Sequence, residues 1–278
     1  MTLAEVGRAG EEPSELGVMS AIGLGRRVYA LGLRALYSRT GLPWNVNGKT
    51  VRIDPRVRLL VPHEGEPDVD RYLQATLQPG DTVLDVGAFV GIHAIMSARK
   101  VGPEGRVIAF EPTPATAALA RRHFAYNGLD DGRIHLVEAA VSDRPGRATL
   151  HEYALPYVNS LAPAVDITGR PTATDVEVVT IDEACRAQGV LPRLIRMDVQ
   201  GAEVHALRGA QETIRRAGAK LVLLVEMHPQ CWPAFGVTES IVRDTIRELG
   251  LVACPLVPGD RLFARDSHAI LTPEVRAH

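Results

Sequence analysis

Cysteine is scarce in this chain and odd in number. Cys185, Cys231 and Cys254 form no CxxC pair and no set with histidine at zinc-ligand spacing, which argues against a disulfide scaffold or a zinc site and for reduced thiols. An excess of one charge is lacking too. The formal net charge of −2 at pH 7 gives neither nucleic acid nor an anionic membrane a reason to bind, so the expected partner is a small molecule, with a homodimer allowed. No apolar run approaches the length of a membrane span, and Glu5, Glu11, Glu12 and Glu15 precede any apolar stretch, unlike a secretory signal. A cytoplasmic location and no membrane partner are therefore expected. What the chain does have is length: 278 residues, 46% of them hydrophobic, suffice to bury the core of a large α/β domain.

Residues 1 to 16 show no periodicity and read as a tail. Ala21 to Tyr37 places Leu24, Val28, Leu31 and Ala35 at helical spacing among Arg26, Arg27 and Arg34, a basic amphipathic helix expected to pack on the domain or over its site. Residues 1–58 are thus assigned to a tail and helical cap, and 59–278 to the main domain. From Asp81 onward short β-branched runs alternate with helical patterns, the signature of a doubly wound, mostly parallel sheet with helices on both faces. Strands are expected at Thr82–Val86, Arg106–Glu111, Ile134–Ala140, Leu194–Asp198 and Leu221–Glu226. Helices are expected at Ile92–Lys100, Pro114–Asn127, Glu203–Arg216 and Thr238–Leu249. Ala148–Tyr153 and Val176–Ile181 read as a hairpin joined by a long loop, a place for substrate contacts.

The chemistry begins at Asp85-Val86-Gly87-Ala88-Phe89-Val90-Gly91, a strand, a glycine-cornered turn and a helix start, the arrangement that presents backbone N–H groups to a nucleotide. The middle glycine of the dinucleotide fingerprint is missing, which disfavours pyrophosphate and with it a nicotinamide-dependent dehydrogenase. The next strand ends in Glu111, followed by Pro112, about 20 residues beyond Gly91, where a carboxylate can accept from both hydroxyls of an adenosine ribose. Val141 and Ser142, at the end of the third strand, fall where adenine would lie, and Asp85 falls near the amino acid part of the ligand. Asp198, Glu226 and His228 emerge at one sheet edge. His228 is the candidate general base, oriented by Asp198 or Glu226, since imidazole titrates near neutrality. The two acids also have the oxygen ligands that Mg²⁺ prefers, but no metal is expected. Tyr153, Tyr157 and Trp232 are candidates for the apolar walls of a substrate site, with Gln200 beside them.

These residues resemble the FkbM-type methyltransferases. The blocks that carry the resemblance are Pro79 to Ala88 with Gly91, Ala109-Phe110-Glu111-Pro112, Asn127, Ala140 to Asp143 with Gly146, Asn159-Ser160-Leu161, Val178 to Asp182, Met197 to Glu203 with Leu207, Gly209 and Ala210, and Glu226-Met227-His228. They run from about residue 50 to 256. The resemblance implies a class I, Rossmann-like fold with a seven-stranded sheet, one strand antiparallel near its carboxyl end, and S-adenosylmethionine as cofactor and methyl donor. It also implies natural products or sugars as acceptors. The chain departs from the family pattern in having Arg196-Met197 for Lys-Ile, Gln200 for Glu, and Phe89-Val90 for Asn-Ile; Gln200 in place of an acid weakens any role of that position as base or metal ligand. An alcohol needs its proton removed before it can attack a methyl group, so O-methylation assisted by His228 is the expected reaction, with N-methylation or a non-catalytic cofactor-binding subunit as alternatives.

Overall fold

The computed structural model describes residues 28–153, 158–163, 170–264 and 267–274. The expected tail, the start of the first helix and Tyr157 lie outside them. Residues 28–37 are helical (α1), with Val28, Tyr29, Leu31 and Leu36 exposed. Next, where a helical cap is expected, Leu42–Val46 (β1) and Lys49–Ile53 (β2) form an antiparallel hairpin. The cause is local: Asn47 and Gly48 take φ values of 50° and 80°, and Asn-Gly is the pair most suited to a two-residue turn that matches strand twist. Val46, Val51 and Ile53 then pack into one core with Val57, Val61, Leu73, Ile95 and Phe124. No seam falls at residue 58, and the hairpin belongs to the main domain. Buried His123 ties it down, for Nε2 accepts from the Asp54 N–H at 2.9 Å and Nδ1–H donates to the Val90 carbonyl at 2.8 Å. Burial lowers the pKa of His123, which keeps the neutral ring that this pair of bonds requires.

The chain continues through Pro67–Thr76 (α2), Thr82–Val86 (β3), Ile92–Val101 (α3), Arg106–Phe110 (β4), Pro114–Tyr126 (α4) and Ile134–Val137 (β5). The third strand is shorter than expected. It leaves the sheet after Val137, and Ala140–Val141 (β6) pairs instead in a separate three-stranded sheet with Thr172–Val179 (β8), itself antiparallel to Gly146–Glu152 (β7). The remaining elements are Ile181–Gln188 (α5), Leu194–Met197 (β9), Glu203–Arg208 (α6), Gln211–Ala217 (α7), Val222–Met227 (β10), Glu239–Glu248 (α8), Leu251–Pro255 (β11) and Ser267–Pro273 (β12). The single helix expected over Glu203–Arg216 is broken at Gly209-Ala210. There the backbone passes so close to β6 that a Cβ on Gly209 would stand 2.1 Å from the Ser142 carbonyl oxygen.

The main sheet has the order β11-β12-β10-β9-β3-β4-β5. Strands β10, β9, β3, β4 and β5 are parallel, and β12 runs antiparallel to both its neighbours. This is the expected seven-stranded, mostly parallel sheet. Its central strands are covered on both faces, as β4 shows: Val107 and Ala109 enter the core beneath α3 and α4, whereas Ile108 and Phe110 enter the core beneath α6 and α8, so the strand reads as continuously apolar. Chain order reverses between β3 and β9, which opens a crevice at their carboxyl ends.

Candidate functional site

A cavity of about 300 Å³ occupies that crevice. Gly87, Ala88, Phe89, Glu111, Pro112 and Val141 line it, as do Asp198 and Gln200. Gly87 has φ 81°, and a Cβ there would stand 1.8 Å from the Asp198 carbonyl oxygen, so this turn admits only glycine. The Gly87 and Ala88 N–H groups donate to the Phe110 carbonyl, and the Phe89 N–H donates to Glu111 Oε2 at 2.9 Å. Glu111 Oε1 accepts from the Thr113 N–H at 2.9 Å. Burial opposes the charge of Glu111 more than these bonds favour it, and its pKa is pushed up to about 7. Phe89 holds φ 51°, a left-handed conformation that Asn, the usual family residue here, adopts more readily.

Other expected contacts are displaced from the cavity. Gly91, Ser142 and Tyr153 are not among its lining residues. Asp85 is 1% exposed and turned beneath the turn, where its Oδ1 lies 3.2 Å from the Arg196 guanidinium. It pairs with Arg196 and is not among the residues that line the cavity. Trp232 is buried with Phe263 at its edge, and its Nε1–H donates to Glu203 at 2.8 Å; it is core, not a substrate wall.

Arg196 is the centre of a charged network. Besides Asp85 it reaches the Gly87 carbonyl at 3.2 Å, Asp198 Oδ2 at 3.2 Å and Glu66 Oε2 at 3.4 Å. Burial lowers its pKa, but Asp85, Glu66 and Asp198 more than offset this and raise it. Glu66 also accepts from His93 Nε2 at 2.6 Å and lies 3.5 Å from His268. Against the effect of burial, Arg196, His268 and His93 hold its carboxyl well below the usual range. Glu226 is raised, by burial first and then by Asp198.

His228 does not reach the cavity. It is 2% exposed, and its Nδ1–H donates to Glu203 Oε1 at 2.8 Å. Glu203, fully buried, therefore orients the ring, and not Asp198 or Glu226, which lie 3.7 and 3.6 Å from Nε2. The Gln200 amide stands between His228 and the cavity, 2.9 Å from Nε2 and donating to Asp198 Oδ1 at 3.0 Å. Burial would lower the pKa of His228, but the bond to Glu203 and the nearby Glu226 and Asp198 carboxylates carry it up to about 11. A general base must touch the acceptor and be unprotonated. The base role expected of His228 does not fit this arrangement, in which the buried ring lies behind Gln200.

Asp198 is the carboxylate that both lines the cavity and stands next to Gln200. The β7–β8 sheet is fastened above it, since the Ser160 hydroxyl donates to the Gln200 carbonyl at 2.9 Å and Asn159 Nδ2 donates to Thr113 Oγ1 at 3.2 Å. Gln200 itself takes φ 49°, a conformation that persists in a non-glycine residue only when its surroundings fix it. Glu66, His93, Asn47 and Arg196 are lining residues that spacing alone does not single out.

The fit to S-adenosylmethionine is in the donor set. Glu111 offers acceptor oxygens to a ribose, Ala139, Ala140 and Val141 add apolar lining to the same cavity, and Gly87 lets the turn close against the Asp198 backbone. Among the described residues two groups with metal-ligand chemistry gather at this edge, Glu66, Glu226 and His268 in one and Asp198, Glu226 and His228 in the other. No helix of the described residues is long and apolar enough to cross a membrane.

Residues 85–251 match the family described as the methyltransferase FkbM domain. Among curated proteins, methyltransferase sdnD of Sordaria araneosa is 28% identical over 170 residues, 51% of this chain and 64% of that protein. The 2-O-methyltransferase NoeI of Sinorhizobium fredii is 30% identical over 166 residues, 53% of this chain and 65% of that protein. The match thus spans somewhat under two thirds of each of these relatives. A solved O-methyltransferase from Bacillus cereus in complex with SAH aligns with 79% of this chain and 86% of its own at 13% identity and a TM-score of 0.45.

Proposed function

Because the chain belongs to the FkbM methyltransferase family, we propose that it transfers the methyl group of S-adenosylmethionine to a hydroxyl of a small natural product or sugar. The observation that carries this reading is the cavity itself, which is lined by the Glu111 carboxylate, by apolar Ala139, Ala140 and Val141, and by the Asp198 carboxylate. NoeI, a 2-O-methyltransferase by name, lends support to oxygen as the methylated atom. Methyl transfer from a sulfonium is an in-line displacement, and alignment of the reacting atoms with water excluded supplies much of the rate. Here the strained, doubly anchored Gln200 and the fastened β7–β8 sheet hold the wall against which an acceptor is aligned. To the lining carboxylate of Asp198 we assign the hydroxyl proton.

The test is transfer from isotope-labelled S-adenosylmethionine to a panel of hydroxylated and amino natural products, with NMR locating the methyl group on oxygen or nitrogen. Asp198→Asn should slow transfer by roughly 10²-fold or more while S-adenosylhomocysteine still binds within a few fold, and His228→Ala should cost less than that. A His228→Ala variant slower than Asp198→Asn would return the base role to the imidazole. Methylation on nitrogen alone would replace the hydroxyl reading, and cofactor binding without transfer to any acceptor would support a non-catalytic subunit.

A further inference from the structure

We propose that Asn47, at the tip of the β1–β2 hairpin and outside the matched family region, holds the ammonium group at the amino acid end of the methyl donor. The inference rests on S-adenosylmethionine as the cofactor and adds a residue that the family match does not contain.

The amino acid end of the cofactor needs a new partner, because Asp85 is turned away and joined to Arg196. Glu111 and Val141 line the same cavity as Asp198, Arg196 and Glu66, so a donor with its adenosine between the first two would extend its amino acid part towards the charged three. Asn47 lines this cavity too. Its Nδ2 donates to the Gly65 carbonyl at 2.7 Å, which fixes the amide plane next to Glu66. Its Oδ1 is buried, belongs to a lining residue, and accepts no hydrogen bond among the described residues. A buried carbonyl without a donor is costly unless a ligand supplies one. Around it Glu66 and Asp198 are carboxylates and Arg196 is a guanidinium. This end therefore offers acceptors to an ammonium and a cation to the neighbouring carboxylate, the two charges of an amino acid.

The turn alone does not explain the side chain. An asparagine suits φ 50°, but glycine suits it equally, and the turn requires neither the bond to Gly65 nor the burial of Oδ1. Glycine is thus the informative replacement, since it keeps the hairpin and removes the amide.

The experiment is calorimetric titration of the wild-type protein and Asn47→Gly with two ligands. One is S-adenosylhomocysteine, and the other is its desamino analogue 4-(5′-adenosylthio)butyrate, which keeps the carboxylate and lacks the ammonium. Wild-type binding of S-adenosylhomocysteine tests the cofactor itself, and its absence would defeat that reading, not merely the role of Asn47. Given that binding, Asn47→Gly should weaken S-adenosylhomocysteine about tenfold and leave the desamino analogue unchanged, with the thermal midpoint preserved. Unaltered affinity for S-adenosylhomocysteine, or equal losses for both ligands, would overturn the assignment.

Discussion

Glu111 stands at a strand end with both oxygens already engaged by backbone N–H groups, and its charge is nevertheless disfavoured. Its carboxyl titrates at about 7 against an ordinary 4.5. A raised acid takes up a proton on folding between those two values, so its contribution to stability is complete below the lower one and is lost as the pH rises to the upper, by about 3 kcal/mol. The ionised form is the one that accepts from a ribose diol. Glu111→Gln should therefore abolish that share of the fall in thermal midpoint between pH 5 and pH 8, and weaken S-adenosylhomocysteine by about tenfold or more, the worth of a charge-assisted bond. Thermal scans across pH and calorimetry measure the two effects. A variant that binds as tightly as wild type would remove Glu111 from the ribose site.

At the scale of elements, the break between α6 and α7 is a packing requirement. Gly209 abuts the Ser142 carbonyl, and its own carbonyl accepts from the Asp182 N–H at 2.9 Å. Gly209→Ala puts a methyl group within 2.1 Å of that oxygen, and should destabilise the fold by about 1–3 kcal/mol, read from denaturant midpoints. A variant of unchanged stability would show that β6 and the helix corner yield independently. Elements of this kind differ in how far the sequence reveals them. Strands β3, β4, β9 and β10 were legible because each is buried on both faces and followed by a helical pattern. The separation of β6 from β5 was not, since Ile134 to Ala140 reads as one mostly apolar run with only His135 and Glu138 polar, and which sheet a residue joins depends on β8, some forty residues later. Strand β12 was equally hidden: Ser267–Pro273 carries no sign of the antiparallel pairing that places it between β10 and β11, and only the family resemblance implied it. The β1–β2 hairpin had a local sign, Asn47-Gly48, overshadowed by the basic helix ahead of it. Within the site, the glycine turn, Glu111 and Asp198 were legible as strand-end residues. Glu66 and Arg196 are 130 residues apart, and no spacing rule joins them; Glu203 was visible as part of a motif, but its hold on His228 needed the structure.

For the molecule as a whole, one feature is an imbalance of charge. Among the described residues, five acids, Glu66, Asp85, Asp198, Glu203 and Glu226, gather at one edge of the sheet with fewer cations, Arg196 and the raised imidazoles of His228 and His268. In a poorly solvated crevice, each unit of charge on a ligand weighs heavily in its affinity. A methyl donor carries a cationic sulfur, and the same molecule after transfer carries a neutral one. The acidic edge therefore favours the reactant over the spent product, and Glu66, whose carboxyl is held ionised and faces the cavity, is the side chain to examine. Glu66→Gln should narrow the preference for S-adenosylmethionine over S-adenosylhomocysteine by several fold, as measured by paired titrations, and an unchanged ratio would deny the acids this part. On this view the charge imbalance governs departure as much as arrival: each transfer erases part of the attraction that brought the donor in, so the spent molecule is held less tightly than the fresh one.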